Sequence, residues 1–447
     1  MVQLADVQGL ILRSYGMNSA ACLLMRVEKP APARRILGTL PITSGTQWDD
    51  KPPFCVNVAL TFDGLGALGV PGASLASFPQ DFAEGAFRRC AEVGDIGSCA
   101  PENWDHGLGQ PGLHALVMLF AQTAAIRDAQ IAALRATLLA DGAWSEIVVL
   151  PGDVLPGSKA HFGYCDGFSQ PTIDCGLGNP VPDKQPVAPT GEFLLGYPSQ
   201  FAQLTYAVPV PDQLGRNGSF LVLRILEQDC AAFDALLTHS QERYGIDGEL
   251  LAAKIVGRWR NGTPLTVSPD ADSPVPPLAL SDMNQYDYAP TAANPTAYND
   301  RRGYRCPIGS HMRRANPRGA AIAGDGGSRH RIVRRGVPYG PAYDPAHPND
   351  GIQRGLLGLF IGVSIKDQFE FLMSEWMNGG TFAPGIYGTT DPILGNSSPG
   401  ENTFVIPREN AKPLVISNFP RLVTTRGSAY TFLPSLTGLR YIASLPA

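Results

Sequence analysis

The sequence predicts an α+β protein built from two sandwiches, each a sheet with helices packed on one face. Three observations carry this reading. A rhythm of strand and helix runs through the first third of the chain and returns after residue 218. The 447 residues exceed one typical hydrophobic core, so two domains are expected. The stretch PVPDQLGRN at 209–217 has the composition of a connector, which places the halves at 1–212 and 213–447.

In the first half, Val7 to Leu12 reads as a strand, and Ala21 to Arg26 as an apolar piece after a Gly-Met-Asn turn. VNVALTF, from Val56 to Phe62, has the branched residues of a strand and runs into DGLGALGVP, a helical turn stopped by glycine and proline. Leu113 to Ala121 is a strand, Thr123 to Leu139 an amphipathic helix, and Glu146 to Leu150 another strand. In the second half, FLVLRIL is a strand followed by the helix AAFDALLTHS. GLLGLFIGVSI, at 355–365, is a strand followed by the helix KDQFEFLMSEWM. Two proline-rich stretches, 180–190 and 268–297, read as long loops of the kind that often carry function.

Composition narrows the class. Apolar residues make up 44% and charged residues 17%, as in a soluble globular protein. A net charge of -5 argues against a general nucleic-acid binder. No segment approaches the roughly 20 apolar residues that span a bilayer, so no membrane partner is expected. The start, MVQLADVQGLILRS, lacks a signal h-region, which favours a cytoplasmic protein and leaves an atypical export route open. Eight scattered cysteines without a CxxC argue against a zinc site, and the size requires no disulfide framework.

The chemistry concentrates in the second half. Residues 301–335 hold ten arginines, no lysine and one acid, Asp325, within an acidic protein. A solvated basic loop is one reading; an anionic ligand held by planar guanidinium forks is the other. His311, in IGSHMRRANPRG, sits within this region. By itself it reads as a hydrogen-bonded loop histidine, or as an axial ligand to haem iron, whose propionates the arginines would meet. HFGYCDGFSQP places Asp166 between two glycines that allow a sharp turn. VRRGVPYGP presents a guanidinium on a turn shaped by glycine and proline. A ligand histidine, a proton-accepting carboxylate and a charge-stabilising cation are the parts that a haem peroxidase requires.

Together GYCDG, GEFLLGYPSQ, GSHMRRANPR and VRRGVPYG resemble the dye-decolourising peroxidase family, in the family's order and over essentially the whole chain. The resemblance implies two ferredoxin-like halves of the dimeric α+β barrel superfamily, with one haem b per chain held mainly by the C-terminal half. It implies Asp166 as distal acid/base, Arg334 rather than Arg335 as distal cation, and His311 as the proximal iron ligand. Asp391, in TTDPILG, matches the carboxylate that hydrogen-bonds the ligand histidine. Arg313 and Arg329 are expected to hold the propionates, with Arg318 and Arg331 as the other basic positions. Trp376, in SEWMNG, matches a surface radical site or simply packs a helix end; Tyr339 is a weaker radical candidate. The sequence departs from the family at GLLGLF, where Gly358 stands at an aromatic position over the haem, leaving Leu356, Leu359 or Phe360 to fill the space.

The implied activity is reduction of hydrogen peroxide, through a ferryl-oxo intermediate, with oxidation of bulky dyes and phenolic donors or Mn(II). An aspartate base implies an acidic optimum. A haem carrier or iron-releasing protein on the same scaffold is the alternative, since it would need His311 but not Asp166. A structural protein that has lost haem is the third reading. Monomer and homo-oligomer both stay open.

Overall fold

Runs of branched and apolar residues form the strands. The computed structural model describes residues 2–177, 185, 187–201, 204–319, 330–396, 398 and 400–446. The first strand group comprises β1 (Ser19–Val27), β2 (Phe54–Leu60), β3 (Ala115–Ala121) and β4 (Trp144–Asp153), in the spatial order β4-β1-β3-β2. The second comprises β5 (Ser219–Gln228), β6 (Val333–Arg334), β7 (Val337–Tyr339) and β8 (Gly355–Gly362). A separate hairpin pairs β9 (Asn402–Ile406) with β10 (Leu414–Phe419). The last strand, β11 (Val423–Leu433), lies between β2 and β5 and completes one sheet, β4-β1-β3-β2-β11-β5-β8-β6, with β7 also on β8. The named strands pair with one another antiparallel, and the two groups join where Leu60 lies opposite Phe432.

Helices cover this sheet where the sequence repeats at helical spacing. The helix Ala124–Leu138 starts at Thr123, whose hydroxyl accepts from the Ile126 N–H. It buries Ile131, Leu134 and Leu138, three- and four-residue steps along one face. In the second half, the helices Cys230–Tyr244 and Gly248–Val256 are capped by Asp229 and Asp247. Phe233, Leu237, Leu251 and Ile255 pack with Phe404, Ile416 and Phe419 of the β9–β10 hairpin.

Two sequence expectations change. Val7 to Leu12 is not a strand; Gly9–Leu12 is a helical turn. Val7 to Ile11 are all buried, so neither alternation nor helical spacing is visible in their burial. The Gln8 amide anchors the turn, donating to the Val58 carbonyl at 2.8 Å and the Pro434 carbonyl at 2.9 Å. The predicted helix after β8 exists, but Ile365–Glu370 and Leu372–Met377 wind in wider π-type turns. Such turns are rare and often lie at functional sites.

Side-chain alternation places the site. On β8, Leu357, Leu359 and Ile361 enter the main core, while Leu356 and Phe360 point to the opposite face. On that face, Arg224, Leu226 and Gln228 of β5 and Val423 and Thr425 of β11 line one cavity with them. Among the described residues, no helix is long and apolar enough to cross a membrane.

Candidate active site

The cavity is about 290 Å³, with walls that are mostly apolar. Leu356, Phe360, Leu372, Met373, Ile393 and Leu394 supply much of that surface, and His311, Asp166 and Arg334 line the same space.

His311 opens a short helix, His311–Ala315, fixed by Ser310, whose hydroxyl donates to the Lys254 carbonyl at 2.5 Å. Its Nδ1 lies 3.1 Å from both carboxylate oxygens of Asp391. A carboxylate only accepts, so Nδ1 carries the hydrogen and Nε2 is left as the ring's lone-pair nitrogen. The Asp391 side chain is fully buried, and its Oδ1 also accepts from the Ile393 and Leu394 N–H groups at 2.9 and 2.7 Å. Burial works to raise the Asp391 pKa; His311, the Leu394 N–H and the Arg314 charge outweigh it and hold the carboxyl below its ordinary value. The carboxylate fixes the tautomer and orientation of the ring, as expected for the partner of a metal-binding imidazole.

Asp166 sits in a turn that needs its flanking glycines. Gly163 and Gly167 have φ of +85° and +98°, a region that side chains disfavour. A β-carbon at Gly163 would also lie 2.8 Å from the Arg260 guanidinium. The Asp166 Oδ1 accepts from the Gly167 N–H at 2.7 Å and faces the Arg334 Nη2 at 3.5 Å. Arg334 is held by its own turn: its backbone N–H donates to the Gln170 side chain at 3.1 Å, and its Nη2 to the Ser169 carbonyl at 3.2 Å. The Arg334 cation, chiefly, holds the Asp166 carboxyl below its ordinary pKa. Arg335, one residue on, turns away, and its Nε donates to the Leu10 carbonyl at 2.9 Å. Burial lowers the Arg335 pKa to about 10.

The expected anion partners divide. Arg313 does not line the cavity. It is fully buried, its Nη1 donates to the Cys306 carbonyl at 2.6 Å and to Asp300 at 3.3 Å, and it lies over the Tyr288 ring at 4.4 Å. Two residues along a helix from His311, it points to another side of the turn. Arg329 lies outside the described residues. Arg318 and Arg331 line the cavity, as does Arg258, which the motifs did not flag. Arg258 is 4% exposed and its Nη2 is a buried donor without a partner. Its signal was modest: two arginines at a helix end in GRWRNG.

Trp376 is not a surface residue. It is 6% exposed and packs edge-on against Phe371 and Phe382. Gly358 is covered rather than vacant, for a β-carbon there would lie 2.8 Å from the Phe360 ring. Phe360, two residues along the same face, lays its ring over this glycine. The sequence also hid a buried ion pair on the cavity wall, Arg224 with Asp95, both 3% exposed. A lone arginine inside the apolar run FLVLRIL was its signal.

These residues fit haem. They offer one oriented imidazole with a free nitrogen, apolar walls for a macrocycle, and guanidinium groups, one of them with an orphaned donor, for anionic arms.

Comparison with known proteins decides the family. A dye-decolorizing peroxidase of Mycena epipterygia is 32% identical over 429 residues, covering 89% of this chain and 77% of that relative. The chain belongs to the dye-decolourising peroxidase family. No model in a scan of protein-family models matches the sequence. A fungal DyP-type peroxidase from Auricularia auricula-judae has the same fold, with a TM-score of 0.83 at 24% identity over 99% of this chain and 100% of that one. An ancestral D-type dye decolorizing peroxidase gives a TM-score of 0.84 at 26% identity, again over 99% and 100%. The fold is therefore the two-part, ferredoxin-like α+β fold of dye-decolourising peroxidases. These are haem enzymes, and this chain is an enzyme of that class.

Proposed function

We propose that the protein is a haem b peroxidase in which His311 ligates the iron, Asp166 moves the peroxide proton and Arg334 stabilises the developing charge. When bound, haem supplies the redox chemistry; the remaining work falls to the side chains. His311, oriented by Asp391, presents Nε2 to the cavity. Asp166, kept ionised by Arg334, accepts a proton from hydrogen peroxide and returns it to the departing oxygen. The Arg334 guanidinium faces the negative charge that builds as the O–O bond breaks. Arg258, whose Nη2 is an unpartnered buried donor, and Arg331 on the cavity wall would meet the propionates, whereas the Arg318 guanidinium is taken by Asn284, Tyr286 and Ser169. The electron donors are dyes and phenolic compounds. The observation that carries this reading is the convergence of an Asp391-oriented imidazole and an Asp166–Arg334 pair on one apolar cavity.

The test of iron ligation is a haem titration followed by absorption. Wild type is expected to show a Soret band at one haem per chain, and His311→Ala to lose it or shift it to the spectrum of weakly bound haem. An unchanged band in His311→Ala would place the ligand elsewhere. Haem binding without any response to peroxide would favour a carrier on this scaffold.

A further inference from the structure

Tyr430, on β11, is 2% exposed, and its hydroxyl donates to Glu370 Oε1 at 2.9 Å. The same carboxylate accepts from Arg89 Nε and Nη2 at 2.7 and 2.6 Å. Arg89 Nη1 continues to Glu84 at 2.6 Å, whose side chain is 33% exposed. A chain of polar contacts thus runs from a buried phenol to the surface. The other charged groups around the phenol are Arg224 and Asp95, already paired with each other. On its other side, the Tyr430 ring meets Phe369 edge-on, with centroids 6.2 Å apart and planes at 80°. Phe369 lines the large cavity together with Phe360, 5.6 Å from it between centroids. One aromatic ring separates Tyr430 from the candidate haem site.

Burial first, and then Glu370, raise the Tyr430 pKa well above the ordinary value, so the phenol keeps its proton at working pH. Losing an electron reverses this preference, because a phenol radical cation is a far stronger acid than a carboxylic acid. A hydrogen-bonded carboxylate is the acceptor such a step requires.

We propose that Tyr430 is a redox-active residue of this peroxidase, giving one electron toward the haem cavity past Phe369 and its phenolic proton to Glu370. The Tyr430 O–H bond breaks, an O–H bond forms on Glu370, and one oxidising equivalent left by peroxide is reduced. A donor electron and the Glu370 proton then restore the phenol. Tyr430 is too buried to meet a bulky donor, so it holds the equivalent between the cavity and the surface. The inference rests on the peroxidase reading.

The test is electron paramagnetic resonance of haem-loaded protein, frozen milliseconds after peroxide, with absorption recorded on the same samples. The expected result is an organic radical in wild type whose line shape changes with ring-deuterated tyrosine and not with ring-deuterated tryptophan. Tyr430→Phe keeps the ring and its packing and is expected to lose most of that signal. Glu370→Gln is expected to slow radical formation by about 100-fold, the lower range for loss of a general base. A tyrosine signal of equal yield in Tyr430→Phe, or a radical that follows only the tryptophan label, would overturn the proposal. If absorption shows no reaction with peroxide in wild type, the peroxidase reading itself has failed.

Discussion

Asp166 faces the Arg334 guanidinium, and this gives a directional pH prediction. Arg334, at 3.5 Å, holds the Asp166 carboxyl below its ordinary value near 4. The proton-accepting form is the carboxylate, present above that lowered pKa and lost as pH falls through it. Stopped-flow rates with peroxide should therefore stay flat from neutrality down to about pH 4 and fall below it. Arg334→Leu removes the main lowering influence, so the acidic fall should move to higher pH while the plateau drops. An unmoved limb would mean that another group titrates. His311, Asp166, Arg334 and Asp391 were picked out because their short motifs resemble the family's; the structure brings the first three to one cavity and sets Asp391 against His311. Arg313 was misread because proximity in sequence to His311 says nothing of direction. Its guanidinium serves Asp300 and Tyr288 instead. Arg313→Met should therefore lower the thermal midpoint of the haem-free protein as well as the loaded one, which a propionate partner alone would not do.

Along the strands, period-two alternation separates core from site. Odd positions of β8 fill the main core and even positions face the cavity, so its register is fixed by burial. Gly358 is the exception to a filled even face, and Phe360 closes over it. Gly358→Ala should displace that ring, at a cost of about 1–3 kcal/mol by urea unfolding, the range for overpacking. The Soret band of the haem-loaded variant should shift as the pocket reshapes. The strands themselves were legible because apolar runs bounded by turn residues are strong signals. The turn at Gly9–Leu12 was not, since the six residues from Val7 to Leu12 hold too few periods to separate alternation from helical spacing. Its conformation is decided by Gln8, which reaches carbonyls 50 and 426 residues away.

Across the molecule, the two strand groups form one sheet through the Leu60–Phe432 pair, and the cavity collects residues from both halves. Asp166 comes from the loop after the first group, and His311, Arg334 and Asp391 from the second half. The Arg224–Asp95 pair links β5 to a loop of the first half at full burial. Removing one partner leaves an uncompensated buried charge, so Asp95→Ala should destabilise by about 3–5 kcal/mol. Loss of one partner in the exposed Arg216–Asp212 pair, by Arg216→Ala, should cost no more than about 1 kcal/mol. Such long-range pairing is invisible in a single sequence, where Arg224 shows only as a charge within an apolar strand.

In the proposed reaction Asp166 handles the peroxide proton in a site built on His311. The most direct test is the second-order rate constant for peroxide with haem-loaded Asp166→Asn, beside wild type, by stopped-flow absorption. The expected result is an intact Soret band and a rate lower by about 100- to 10,000-fold, the range for loss of a general acid/base. An Asp166→Asn protein that reacts with peroxide as fast as wild type would contradict it.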